Sequence, residues 1–118
     1  MIERRKFMRF DAILDVFYAV LGYPSNKVKS YSVNVSREGI RFTGKSPLKR
    51  GSLIELEFLI PGNKIPLTAI GEVAWSSNIG KSRYDAGIKF TKIDTDDRLK
   101  LLDFAYDSWL KIKDKAGS

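Results

Sequence analysis

Leu53-Ile54-Glu55-Leu56-Glu57-Phe58-Leu59-Ile60 alternates strictly, with Ile54, Leu56, Phe58 and Ile60 on one side and Glu55 and Glu57 on the other. Successive side chains of a β-strand point to opposite faces, so this stretch is a strand with one face in a core and the other in water. Pro61-Gly62-Asn63-Lys64 follows it and reads as a hairpin loop. Beyond the loop, Ile65 to Trp75 and Arg83 to Thr91 pair across Ser76-Ser77-Asn78-Ile79-Gly80-Lys81, and the second of these sets Tyr84, Ala86, Ile88 and Phe90 on one face.

The same period runs upstream. Asp11 to Val20 places Ala12, Leu14, Val16, Tyr18 and Val20 together, with Asp11 and Asp15 opposite. After the turn residues Gly22-Tyr23-Pro24-Ser25-Asn26, Lys27 to Ser36 sets Tyr31, Val33 and Val35 on one face and Ser30, Ser32, Asn34 and Ser36 on the other. Gly39 to Thr43 forms a short strand closed by Gly44 and Ser46-Pro47. Six strands with short turns predict a mainly all-β fold, an antiparallel six-stranded barrel. From Asp94 the pattern becomes helical: Asp94, Asp96 and Asp97 sit where the positive end of a helix dipole favours them, Lys111, Lys113 and Lys115 sit at the other end, and Leu99, Leu102, Tyr106 and Trp109 form a stripe for packing on the barrel. That stripe, ending in Trp109, also suits a dimer contact.

The chain has 118 residues, enough for one domain and one core. The expected division is a basic arm at 1–10, a barrel with its C-terminal helix (about 94–113) at 11–115, and a tail at 116–118. With no cysteine and no histidine, disulfides, thiolate zinc sites, Cys nucleophiles and His acid/base catalysis are excluded. A catalytic Ser36 would need a base and none is evident, so the expectation is a binding protein and not an enzyme, with no metal and no cofactor. No apolar run approaches the roughly 20 residues that cross a bilayer, and the N-terminus lacks a signal-peptide core; the expected location is the cytoplasm, without membrane insertion. The net charge of +7 favours an anionic partner without choosing among nucleotide, nucleic acid and membrane surface.

Position narrows the choice. Arg4-Arg5-Lys6-Phe7-Met8-Arg9 sets Arg5 and Arg9 four residues apart, a spacing that puts both on one side of a helix or a strand, so two guanidinium forks can converge on one phosphate. Arg4 adds a third, and guanidinium groups also stack on bases as lysine cannot. Phe7, Met8 and Phe10 interleave with them, which suits a segment docked on the body. Alone, the segment reads more readily as a solvated basic tail. About 25 residues later comes Asn34-Val35-Ser36-Arg37-Glu38-Gly39. Asn34 and Ser36 are two apart on a strand and are expected to point outward together, while Gly39 permits a positive φ and close approach of a ring or phosphate to the backbone. Alone, this reads more readily as an ordinary turn. Trp75, on the strand face of Val73 and Ala69, reads as a core residue near the barrel rim. Arg37 and Lys81 read as solvated, and Glu55 and Glu57 as solubilising.

Together the two motifs resemble the R-x-x-x-R and [D/N]-x-S-x-x-G signatures of PilZ domains. The resemblance covers nearly the whole chain: Pro47-Leu48-Lys49-Arg50-Gly51-Ser52-Leu53, Glu55-Leu56-Glu57-Phe58, Gly71-Glu72-Val73-Ala74-Trp75 and Tyr84-Asp85-Ala86-Gly87-Ile88-Lys89-Phe90 are similar to the family's strand consensus in its usual order. It implies a six-stranded barrel with a C-terminal helix, and a bacterial receptor for cyclic di-GMP. It further implies that Arg5 and Arg9, joined by Arg4, meet phosphates and guanine, that Asn34, Ser36 and Gly39 meet a guanine and its surroundings, and that Trp75 lies near the ligand. An arginine at the position of Arg4 implies two stacked ligands per chain. Asn34 stands where aspartate is commoner; an amide offers one acceptor and one donor and cannot take both N1–H and N2–H of guanine. The expected output is a contact with an unidentified downstream protein, from a monomer or weak dimer. Two alternatives are a small basic barrel binding RNA or single-stranded DNA, against which Glu55, Glu57, Glu72 and Asp85 interrupt any basic track, and a ligand-free PilZ-like adaptor.

Overall fold

A computed structural model describes residues 9–23 and 27–117, the side chains of 31–33 and 114–117 excepted. The elements are β1 (Arg9–Asp11), β2 (Asp15–Val20), β3 (Val28–Ser36), β4 (Gly39–Gly44), β5 (Leu53–Leu59), β6 (Leu67–Gly80), β7 (Arg83–Ile93) and α1 (Thr95–Gly117). Every strand pairing is antiparallel, and the run β3-β2-β5-β6-β7-β4 closes on itself where β3 pairs β4. The all-β barrel with a C-terminal helix is therefore the fold, built from seven strand segments where six were expected. The extra segment comes from the strand expected at Asp11 to Val20. It starts at Arg9 and is interrupted at residues 12–14, so β1 pairs Asn34–Ser36 while β2 pairs Val28–Tyr31, both on the edge of β3 opposite β4.

Alternation fills the barrel as expected along most staves. Val16, Ile54, Leu56 and Phe58 are buried from β2 and β5, Phe42 stacks on Tyr18 with ring centroids 4.7 Å apart, and Phe58 meets Phe90 edge-on. Of the four register shifts among the described residues of the barrel, two decide where polar groups point. The β3–β4 register shifts between Ser32 and Asn34, one extra residue on β3. A bulge of this kind reverses which residues face in. Ser30, expected outside, is buried opposite Val16, and Val35 five residues on is buried as well. The second shift lies on β6 between Val73 and Trp75. Ala69 and Val73 face the core, whereas Trp75, expected on their face, is 38% exposed.

Residues 76–80, expected as a connection, continue β6 to Gly80, and the hairpin turns at Lys81 and Ser82, where Ser82 takes a φ of 52°. Asp94 caps α1, its Oδ1 accepting from the Asp96 N–H at 2.9 Å and the Asp97 N–H at 3.3 Å. The face that α1 buries is not the expected stripe. Leu101 and Ala105, one turn apart, are fully buried, while Leu99 is 51% exposed. Tyr106 and Trp109 gather instead around Phe10 of β1, with centroids 5.5 and 5.8 Å from its ring. Among the described residues, no helix is long and apolar enough to cross a membrane.

Candidate functional site

Directly opposed residues on antiparallel strands share a face, so the ladder fixes which side chains gather outside the barrel. Inward, Val35, Ile40, Ile88 and Val73 form one buried row across β3, β4, β7 and β6. The next row outward is Asp11, Asn34, Arg41, Gly87 and Trp75, each opposite the next. The two bulges make this row possible, since each turns one of its polar or aromatic members away from the core. On the far side of the buried row, Arg9 lies opposite Ser36 and Gly39 opposite Lys89.

Between these rows lies a depression of about 240 Å³, lined by Arg9, Ser36, Glu38, Gly39, Trp75 and Lys89 among others. Four of the seven residues singled out from the sequence therefore meet in one place: Arg9, Ser36, Gly39 and Trp75. Asn34 is half-buried in the adjacent row and does not line the depression; its Oδ1 is buried with no partner among the described residues. Arg4 and Arg5 lie outside the described residues.

Two local expectations change. Ser36 shares the outer face with Asn34 but is covered there: it is 6% exposed, and its hydroxyl accepts from the Glu38 N–H at 3.2 Å and donates to the Gly39 carbonyl at 3.5 Å. Its oxygen shapes the turn. Gly39 has no positive φ, that conformation among glycines being confined to Gly22, Gly51 and Gly62. It is glycine for another reason, since a Cβ there would collide with the Ile88 carbonyl, and the same turn is stitched to β7 by the Phe90 N–H to Glu38 carbonyl bond of 2.8 Å. Arg37 is exposed, and Lys81 sits in the β6–β7 turn, outside the lining of the depression.

Sequence reasoning gave no role to Arg41, Asp85 or Gly87. Asp85, expected among the exposed acids, is 5% exposed and accepts from Arg41 Nη2 at 2.6 Å and from the Thr43 hydroxyl at 2.7 Å. Burial pushes its carboxyl up, but the bonds from Arg41 and Thr43 and the charges of Arg41 and Arg83 outweigh it and leave the pKa below the ordinary aspartate value. The Arg41 guanidinium lies 5.9 Å from the centroid of the Trp75 ring. Gly87 lies beneath that ring, and a Cβ on it would collide with the indole Nε1. The one signal available was parity: Arg41 and Thr43 alternate with buried Ile40 and Phe42, so both had to point outward, but only the β4–β7 register brings Asp85 to them.

The chain matches the family model of the PilZ domain over residues 3–107. No curated protein matches it in sequence. Among solved structures it is similar to the inhibitor of motility MotI/DgrA of Bacillus subtilis, with a TM-score of 0.75 and 22% identity over 93% of this chain and 53% of that one. It is also similar to the PilZ domain of Escherichia coli YcgR solved with c-di-GMP, with a TM-score of 0.74 and 13% identity over 98% and 99% of the two chains. The K. pneumoniae MrkH complex with c-di-GMP matches with a TM-score of 0.73 and 17% identity over 98% and 56%. At these identities the likeness is one of fold, and the chain spans about half the length of MotI and MrkH.

Proposed function

This chain belongs to the PilZ domain family, and from that premise we propose that it is a cytoplasmic receptor for cyclic di-GMP that signals through a partner protein. The observation that carries the reading is the convergence of Arg9, Ser36, Gly39 and Trp75 on one depression. The parts suit a cyclic dinucleotide. Arg9 offers a fork for phosphate oxygens, Trp75 an exposed ring for stacking a base, and the Gly39 turn a backbone without a side chain in the way. The E. coli YcgR domain and K. pneumoniae MrkH, which share the fold, were solved with c-di-GMP.

At about 240 Å³ the depression is smaller than the roughly 300–1,000 Å³ of ordinary ligand sites. In this reading Arg4 and Arg5, outside the described residues, add phosphate and guanine contacts, and Arg4 goes with a second, stacked molecule. Phosphate charge offsets the mutual repulsion of the three arginines, and the occupied site offers a partner a different surface from the empty one. Ser36 is not a nucleophile in this scheme, because its hydroxyl is engaged within its own turn.

Calorimetric titration with cyclic di-GMP, alongside GTP and a short single-stranded oligonucleotide, tests the proposal. Heat with the cyclic dinucleotide, only weakly dependent on salt, is expected; a compact ligand releases few counterions, whereas an oligonucleotide would lose affinity steeply with salt. No heat at high protein concentration would sink the reading.

A further inference from the structure

The Arg41, Gly87 and Trp75 row joins the proposed site to a buried acid that the site does not otherwise need. An exposed tryptophan on a barrel wall has two side-chain torsions to fix before it can serve as a stacking surface, and fixing a side chain at the moment of binding weakens affinity. Here the indole is bounded on two sides. Below, Gly87 leaves room that any other residue would fill. Over it, the guanidinium of Arg41 stands 5.9 Å from the ring centroid, at the outer end of the range of cation–π attraction. Arg41 is itself held, because Asp85 is buried, bound at 2.6 Å through Arg41 Nη2, and pinned a second time by Thr43. The charge of Arg41 is thereby answered in part within the protein, and what the guanidinium offers the ring is a held plane.

We propose that Arg41 is a positioning residue: anchored on Asp85, it holds the Trp75 indole over Gly87 so that the exposed part of the ring receives a purine. That the purine is a guanine of cyclic di-GMP rests on the functional reading above; the hold on Trp75 does not.

The experiment uses the full chain carrying Trp109→Phe, so that emission comes from Trp75 alone. Acrylamide quenching is measured without ligand, and cyclic di-GMP affinity by calorimetry, for Arg41→Ala, Trp75→Ala and the pair. Because Arg41→Ala leaves a buried carboxylate unpaired, the same measurements are repeated with Asp85→Asn added. Arg41→Ala is expected to raise the quenching constant of Trp75 and to weaken binding roughly 2- to 12-fold, the cost of ordering one side chain. In a chain already lacking Trp75 it is expected to weaken binding no further. Unchanged quenching overturns the inference whatever the ligand does. An equal loss with and without Trp75 also overturns it, because Arg41 would then touch the ligand itself. If the parent chain takes up no cyclic di-GMP but Arg41→Ala still exposes Trp75, the functional reading fails and the positioning role stands.

Discussion

The β5–β6 wall and the β3–β4 corner belong to one barrel and are built on opposite plans. On the wall, Leu53 to Phe58 pairs Glu72 to Leu67 through six consecutive residues, β5 pairs β2 through six more, and burial alternates without a fault. At the corner, a bulge displaces the register of β3, Ser36 folds the chain back on itself, Gly39 presses on the Ile88 carbonyl, and Asn34 Oδ1 and Arg41 Nε are buried without partners among the described residues. The difference separates two tasks. An unbroken ladder buries apolar area on one side only, which stabilises but leaves polar groups in a uniform, solvated row. Bulges and tight turns interrupt the ladder at some cost and bring unlike groups onto one patch.

The largest expected effect tests the wall. Phe58→Ala removes a fully buried ring that meets Phe90 and should cost about 3–5 kcal/mol of stability, read by denaturant unfolding, with ligand affinity unchanged for the protein that remains folded. Next comes Arg9→Ala at the corner. Loss of a charge-assisted phosphate contact should weaken cyclic di-GMP binding by about 1.5–3 kcal/mol, while stability moves by no more than about 0.5 kcal/mol. A large fall in melting temperature instead would make Arg9 a structural member of β1 and erase the division of tasks.

Asp85→Asn is smaller, about 1 kcal/mol, since Arg41 is partly exposed and solvent answers some of its charge. Its pH dependence has a definite sign. The folded pKa of Asp85 is lowered, so its stabilisation is fully present above the ordinary aspartate value and is lost as pH falls through the depressed one. The gap in stability between the parent chain and Asp85→Asn should therefore narrow on acidification below the ordinary aspartate range; a gap independent of pH would mean that the carboxylate charge plays no part. Smallest is Glu55→Gln on the outer face of the wall, expected within about 0.5 kcal/mol by thermal melting.

The sequence is legible where the ladder is regular. Ile54, Leu56 and Phe58 announce their face by period alone, and Asp94 announces the start of α1 by its capping chemistry. Legibility fails where one residue is added to a strand. Ser30 was assigned to the outside because nothing in Ser30-Tyr31-Ser32-Val33-Asn34 marks the bulge, and Trp75 was grouped with Val73 because Ala74 looks like any strand residue. The Arg41 to Asp85 bond spans 44 positions and exists only through the β4–β7 register, which no local pattern reveals. The buried face of α1 was misjudged for a related reason. Tyr106 and Trp109 are apolar enough for a core, but their partner is Phe10, and its place on β1 follows from a pairing that the expected boundary at residue 11 left out.

Phe10, Tyr106 and Trp109 form one cluster, with ring centroids 5.5 to 5.9 Å apart and Phe10 edge-on to both, and Arg9 is the covalent neighbour of Phe10. The arginine of the candidate site and the far surface of α1 are thus two ends of one short lever. If a protein grips α1 and draws those rings from Phe10, it loosens the footing of Arg9, and equilibrium then requires the converse: ligand held by Arg9 must oppose that grip by the same factor.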